Sequence, residues 1–293
     1  TSNEIPEQEY ELCSSILRKK PGVFIEAETE KIRQEKIKNL DLNFFICGWS
    51  RYDIDKYVTR KTIVGMIYHG IGIKPSYWLD NHQRLDLRFV EGEYRVNQLQ
   101  QNGIDTRLEL TGFIKLDPIF QKNKIDINNI KQKYNLDPSK KTILFAPTFY
   151  PSSVEPIGLE LGEYTKGYNV LIKPHLWTTF LNKFAEINHK EKNRIFNGLV
   201  KNYDHIHLIP PKEYNITPFY KVADVLLTEA SSTIYEMIAC GKPVVVNRFF
   251  KLKLSHRLFK YRLYKKRLNE EMEKDISSFC FEAHKPSDIP LAL

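Results

Sequence analysis

The chain has 293 residues, 42% hydrophobic and 27% charged, the balance of a folded globular protein, and its length predicts two domains of roughly 140 residues each. Apolar runs such as Thr62–Tyr68 fall far short of the ~20 residues a membrane helix needs. The four cysteines, Cys13, Cys47, Cys240 and Cys280, form no Cys-x-x-Cys pair, which speaks against a zinc site or disulfide scaffold and for a reducing, cytoplasmic setting. A net charge of +8 suits an anionic partner without choosing among nucleic acid, acidic headgroups and phosphorylated substrate. The start at Thr1 carries no signal-like pattern, so secretion is not expected, and residues before it are expected to be missing. The stop at Leu293, soon after Pro290, fits truncation of a longer protein.

In chain order, Val23–Ile25, Asn43–Cys47, Thr62–Tyr68 and Arg107–Leu110 read as short strands. Between them lie helical stretches, Glu26–Lys38 and Tyr94–Gln101, the second stopped by Asn102-Gly103. The polar segment Gln121–Lys141, with Asp137-Pro138, marks the expected boundary between an acceptor-side domain, residues 1–137, and a nucleotide-binding domain, 138–293. In the second domain Thr142–Phe145, Asn169–Ile172, His205–Ile209, Val225–Leu227 and Val244–Val246 read as buried strands. Most are spaced for helical crossovers and therefore for parallel pairing. Ile234, Met237 and Ile238 have helical spacing, and Gly241-Lys-Pro243 stops that helix before the next strand. The expected fold is α/β, two doubly wound Rossmann-like domains facing a cleft, with ligands beyond the carboxyl ends of the strands.

Three segments join a strand end to residues suited to chemistry. In Leu226-Leu-Thr-Glu-Ala-Ser-Ser-Thr-Ile-Tyr-Glu236 a buried strand runs straight into a helix. Free N–H groups there, with the hydroxyls of Ser231, Ser232 and Thr233, suit phosphate oxygens, and Glu236, one turn on, suits ribose hydroxyls. The plainer alternative is that a serine simply caps the helix. In Val170-Leu-Ile-Lys-Pro-His175, Lys173 is placed to neutralise a diphosphate and His175 to donate to it or act as acid or base, unless His175 is only a surface histidine. In Tyr68-His-Gly-Ile-Gly-Ile-Lys74, His69 is placed to activate an acceptor, and Gly70 and Gly72 allow close backbone approach; a glycine-rich turn with a surface histidine reads equally well. A third fingerprint glycine and a Gly-x-x-x-x-Gly-Lys-Ser/Thr loop are both lacking, which excludes a Rossmann dehydrogenase and a P-loop NTPase reading.

The order of four motifs resembles the CDP-glycerol glycerophosphotransferases of teichoic acid and capsule synthesis. His69-Gly70 with Lys74 is similar to that family's His-Gly-x-x-x-Lys, and Thr111-Gly-Phe-Ile-Lys-Leu-Asp117 to its Thr-Gly-x-x-Arg-x-Asp. Ile143-Leu-Phe-Ala-Pro-Thr148 is similar to its Leu-Tyr-Ala-Pro-Thr, and Thr228–Ser232 to its Thr-Asp-x-Ser-Ser. The resemblance implies a GT-B fold with His69 as base. His175, Ser231 and Ser232 would grip the donor diphosphate, Thr148, Thr228 and Glu229 would lie at the nucleotide site, and Gly70 and Lys74 on the acceptor side. It further implies a CDP-alditol donor, a membrane-linked glycan or polyprenol acceptor, and peripheral membrane association. In the implied reaction an acceptor hydroxyl attacks the β-phosphorus and CMP leaves, with no cofactor or metal; the only Asp-x-Asp, Asp53-Ile-Asp55, reads as solvated surface. This chain departs from the family in Lys173-Pro-His175, Glu229 and Glu236, and Ser-x-x-x-Glu before Gly-Lys-Pro equally resembles GT-B glycosyltransferases with CMP- or UDP-sugar donors and UDP-GlcNAc 2-epimerases.

One composition shift remains, the basic and aromatic segment from Arg248 to Arg267. It is read either as a helix whose aromatic face packs on its own domain or as an element lying on an anionic membrane surface. With no nucleic-acid motif in the chain, nucleic acid is not the expected partner.

Overall fold

The apolar runs form ten short strands in the computed structural model, which describes residues 7–48, 53–72, 76–79, 84–180 and 188–293. They are β1 Phe44–Cys47, β2 Ile63–Ile67, β3 Leu87–Val90, β4 Arg107–Leu110, β5 Thr142–Phe145, β6 Asn169–Ile172, β7 Ile206–Leu208, β8 Val225–Thr228, β9 Val244–Asn247 and β10 Phe281–Ala283. All their pairings are parallel. β1 to β4 make a four-stranded sheet in sequential order, and β5 to β10 a six-stranded sheet in the order β10-β9-β8-β5-β6-β7. The packing separates two units, the first holding residues up to Gly70 and Ser76–Ile114, the second Ile71 and Gly72 with Lys115–Leu293.

Every residue of β5, β6, β8 and β9 is buried. A parallel sheet covered on both faces demands this, and it is why these strands read as unbroken apolar runs. Their side chains share one core with Ile195, Phe196 and Leu199 of the helix His189–Asn202. The first sheet is covered less evenly: Phe44, Ile46, Ile63 and Leu110 are exposed while Val64, Met66 and Val90 are buried.

Several boundaries have local causes. The helix expected from Glu26 begins at Glu30, because the Thr29 hydroxyl accepts the Ile32 N–H at 3.2 Å and fixes the start there. Gly103 and Gly241 both take φ +72°, the left-handed stop that a side chain would strain. Lys242, next to that stop, donates to the carbonyls of Tyr220, Lys221 and Ala223, at the carboxyl end of the helix Thr217–Val222.

Three differences from the sequence reading stand out. Val23–Ile25 forms no strand, and Val23 is exposed. β3 and β10 are additional, each carrying a charged residue, Arg88 or Glu282, inside the strand. The unit boundary falls at 114/115 instead of 137/138. Residues after Ile114 pack on the second unit: Lys221 donates to the Ile119 carbonyl, and Tyr134 meets Phe219 edge-on and donates to Glu213.

Candidate functional site

The strand order of the second sheet reverses between β5 and β8: the chain runs outward through β6 and β7 on one side and through β9 and β10 on the other. Loops leaving the carboxyl ends of β5 and β8 therefore diverge, and such a point is where open α/β sheets bind ligands. Three loops lie beside it, 146–153 after β5, which holds the end of the predicted Ile143–Thr148 motif, 173–175 after β6 and 229–232 after β8.

Glu229 ties the first and third together. Fully buried, it accepts the Thr148 N–H at 2.7 Å, the Ser153 N–H at 2.7 Å and the Ser153 hydroxyl at 2.5 Å. Burial pushes its carboxyl above the ordinary value, against the pull of those bonds and of Lys192. Lys192, itself buried, donates to the Phe149 carbonyl at 2.6 Å and lies 3.9 Å from Glu155. Thr228 is likewise buried, its hydroxyl donating to the Ala146 carbonyl at 2.7 Å. Direct nucleotide contact was expected of Thr228 and Glu229. The structure instead puts them beneath the loops, where they fix the loops' shape, because their polar atoms are needed by protein partners.

Glu236 departs from expectation for the same reason. Its carboxylate is buried and takes two bonds from Lys115, at 2.7 and 2.9 Å, and one from Tyr220 OH at 2.8 Å. Burial and this carboxylate push the Tyr220 phenol well above its ordinary range. The side chain expected to bind ribose therefore anchors its helix, Thr233–Ala239, to Lys115 of the Thr111–Asp117 motif.

Four donors remain around the switch point, His175 exposed, Ser231 and Ser232 half-buried and Lys173 buried. The Ser231 hydroxyl accepts the Thr233 N–H at 3.3 Å, one residue before the N-cap Ser232, whose own side chain makes no capping bond, and Thr233 shares a 3.4 Å contact with Thr228. The half-buried Ser232 hydroxyl has no hydrogen bond among the described residues. Lys173 is only 6% exposed, yet its ammonium makes no hydrogen bond or ion pair among the described residues. Burial pushes it down to about 8, and only the field of Glu213 works the other way. An amine buried without a counter-charge is costly, and an arriving anion removes the cost. His175 is exposed and seated against Phe149 and Trp177, with ring centroids 4.9 and 5.7 Å away. Its Nδ1 accepts the Trp177 N–H at 3.1 Å, so the neutral ring carries its proton on Nε2.

In the first unit His69 follows β2. Its Nδ1 lies 3.0 Å from the Gly48 carbonyl, which only accepts, and its Nε2 lies 3.0 Å from Tyr77 OH. Nδ1 is therefore the protonated nitrogen, and Tyr77 donates to an Nε2 that carries a lone pair, the tautomer a general base needs. Gly70 is buried, and Lys74 lies outside the described residues. Asp53 and Asp55 are exposed and paired with Lys56 and Arg84. Among the described residues there is no group of three or more metal-ligating side chains.

The segment 248–267 is not one helix. Two short ones, Leu254–Leu258 and Lys260–Lys266, meet at Phe259. Arg248 pairs with Glu273 and Glu282, and Arg267 lies over the Phe149 ring, so both ends of the segment serve their own domain. His256 and Leu263 are buried, whereas Leu254, Leu258, Phe259 and Tyr261 are exposed, so part of the apolar face is not packed inward. No helix among the described residues is long and apolar enough to cross a membrane.

Sequence reasoning did not single out Lys115, Tyr220, Ser153 or Lys192. Lys115 alone carried a signal, inside the Thr-Gly motif.

The chain belongs to the CDP-glycerol:poly(glycerophosphate) glycerophosphotransferase family, whose model matches residues 74–252. No curated protein matches its sequence. In fold it is similar to two variants of the wall teichoic acid polymerase TagF. One has 15% identity and a TM-score of 0.55 over 82% of this chain and 61% of that one. The other, soaked with CDPG, has 15% identity and a TM-score of 0.56 over 85% and 62%. The chain thus spans about 61% of the length of the TagF structure. A UDP-GlcNAc 2-epimerase from Neisseria meningitidis, bound to UDP-GlcNAc, is similar at 16% identity and a TM-score of 0.54 over 97% of this chain and 86% of that one. The architecture is GT-B-like, two parallel α/β sheets.

Proposed function

We propose that the chain transfers glycerol phosphate, or another alditol phosphate, from a CDP-activated donor to a hydroxyl of a teichoic-acid-like or other cell-surface glycan acceptor. The observation that carries this reading is Lys173, a lysine 6% exposed beside the switch point of the second sheet whose ammonium makes no ion pair among the described residues. Family membership supplies the donor class. His69 Nε2, once the Tyr77 hydroxyl gives up its bond to it, takes the proton of the acceptor hydroxyl, whose oxygen attacks the β-phosphorus. The bond from that phosphorus to the bridging oxygen breaks, and CMP leaves with the electron pair. Lys173, the Ser231 and Ser232 hydroxyls and the His175 Nε2–H receive the charge that develops on the diphosphate. Glu229 and Glu236 act beneath them, holding the loops that carry these donors.

Calorimetry with CDP-glycerol, CMP, UDP and UDP-GlcNAc tests the reading, on the wild type and on a Ser231→Ala, Ser232→Ala double variant. Selective cytidine binding that weakens in the variant supports it. Uridine selectivity would move the chain to the sugar-nucleotide reading, a glycosyltransferase or epimerase, and absence of nucleotide binding would overturn both.

A membrane-linked acceptor would place the protein at the inner membrane face. The exposed Leu254, Leu258, Phe259 and Tyr261 beside Arg257 and Lys260 suit shallow insertion into an anionic surface. There each basic residue contributes on the order of 1 kcal/mol. Sedimentation with phosphatidylglycerol vesicles should fall in an Arg257→Gln, Lys260→Gln variant; unchanged sedimentation would reject this part of the proposal.

A further inference from the structure

His69 is exposed, yet the nitrogen it needs as a base is already engaged. Nδ1 keeps its proton on the Gly48 carbonyl, which leaves Nε2 to accept the Tyr77 hydroxyl at 3.0 Å. That distance lies within the ~2.6–3.2 Å over which a base takes a proton from an oxygen. A phenol presents the same O–H donor as an alcohol, so Tyr77 competes for the lone pair that an arriving hydroxyl must use.

Buried groups hold Tyr77 in this place. It lies in the one-turn helix Ser76–Leu79, its ring stacked on Tyr68 with centroids 5.8 Å and planes 21° apart. Arg95, only 3% exposed, lies over the rings of Tyr68, Tyr77 and Trp78 at 5.8, 5.9 and 5.7 Å, and donates to Glu91 at 2.9 Å. The Tyr77 carbonyl accepts the Tyr68 hydroxyl at 3.2 Å, and that hydroxyl accepts the fully buried Arg88 at 3.1 Å. Ring and backbone of Tyr77 are therefore set by the packing of the first unit, and its hydroxyl meets His69 with no substrate present to direct it.

A bonded Nε2 matters because water competes for it too. Beside an activated donor, a base that holds water drives hydrolysis: the proton goes to Nε2, the water oxygen attacks the β-phosphorus, the bond to the bridging oxygen breaks, and CMP leaves with the electron pair beside a free alditol phosphate. A single water has no other contact to offset displacement of a pre-oriented hydroxyl, whereas an acceptor brings the contacts of its remaining length. We propose that Tyr77 is a specificity-determining residue: its hydroxyl caps His69 Nε2 until an acceptor hydroxyl displaces it, and so keeps the base from activating water. The inference rests on the proposed reading of His69 as the base.

Tyr77→Phe keeps the ring, with its stacking and its Arg95 contact, and removes the hydroxyl. With CDP-glycerol and no acceptor, CMP release should rise about 2- to 10-fold, the weight of one neutral hydrogen bond, and the rise should vanish in the Tyr77→Phe, His69→Gln double variant. A merely structural role would lower CMP release or leave it as it is. Carbethoxylation of His69 by diethyl pyrocarbonate, followed by mass spectrometry on the chain without substrate, should accelerate by the same factor. Unchanged or lower CMP release in folded Tyr77→Phe overturns the proposal, as does an unchanged carbethoxylation rate; Tyr77→Leu repeats both measurements if the phenylalanine variant fails to fold. Faster carbethoxylation with no CMP release from either protein keeps the cap on Nε2 and rejects the transferase reading. CMP release from both with an unchanged carbethoxylation rate rejects the cap and keeps the transferase reading.

Discussion

Replacing Lys173 by methionine keeps the length of the side chain and removes its charge. The ordinary lysine value of 10.5 is pushed down to about 8 in the fold. At about 1.4 kcal/mol per factor of ten, the charged form is then penalised by about 3 kcal/mol at neutral pH. Lys173→Met should therefore stabilise the second unit at pH 7, by about 1–3 kcal/mol once imperfect packing of the thioether is allowed for. The sign follows from proton linkage. Between about pH 8 and the unfolded value near 10.4, the unfolded chain holds more protons, so wild-type stability rises with pH across that window and the advantage of the variant shrinks. The same change should weaken binding of CDP at pH 7 about 10- to 100-fold, the loss expected of one charge-assisted bond to phosphate. Urea unfolding by circular dichroism at pH 7, 8.5 and 10, paired with calorimetry of CDP, reads both quantities. A variant that is less stable at pH 7 with no pH dependence of the difference, or one that binds CDP as tightly as the wild type, would refute the reasoning.

His69→Gln should lower the turnover of glycerol phosphate about 10²- to 10⁴-fold and leave the calorimetric affinity for CDP unchanged, since His69 belongs to the first unit. Tyr220→Phe removes one of the three bonds to the Glu236 carboxylate and should cost about 1–2 kcal/mol in urea unfolding. Lys115→Met, which strands the buried carboxylate, should cost more, towards the lower end of about 3–5 kcal/mol because Lys115 is partly solvated. Glu229→Gln turns an amide donor towards a group of donors at Thr148 and Ser153 and should cost about 2–4 kcal/mol by the same assay; a loss under 1 kcal/mol would contradict the clamp described for Glu229.

The second sheet was legible because its central strands are buried on both faces, and a run such as Val244–Val246 leaves no other reading. β3 was not, because Arg88 interrupts Leu87–Val90. Nothing local reveals that this arginine is fully buried with one guanidinium nitrogen on Tyr68 OH, 3.1 Å away. The boundary was read at 137/138 because Gln121–Lys141 is polar in composition, although three apolar residues in or near it, Ile119, Tyr134 and Leu136, are buried. At the site, the residue types were legible and their depth was not. Glu229 and Glu236 look like ligand-binding carboxylates in sequence, and only partners 76 to 121 positions away, Ser153 and Lys115, make them internal. Lys173 was recognised as a cation after a strand; its burial without an ion pair among the described residues is a property of the packed structure.

The reversal of strand order in the second sheet also sets a timetable for synthesis. β5 gains β6 and β7 soon after it leaves the ribosome, but its other edge waits for β8: the Thr142 N–H bonds to the Asp224 carboxylate, 82 positions later. At about 5–20 residues per second that wait lasts roughly 4–16 s. Meanwhile a strand whose four residues are all buried in the finished fold offers an open edge to other nascent chains. Chains released before β8 are therefore expected to pellet, and chains carried through β10 to stay in the supernatant.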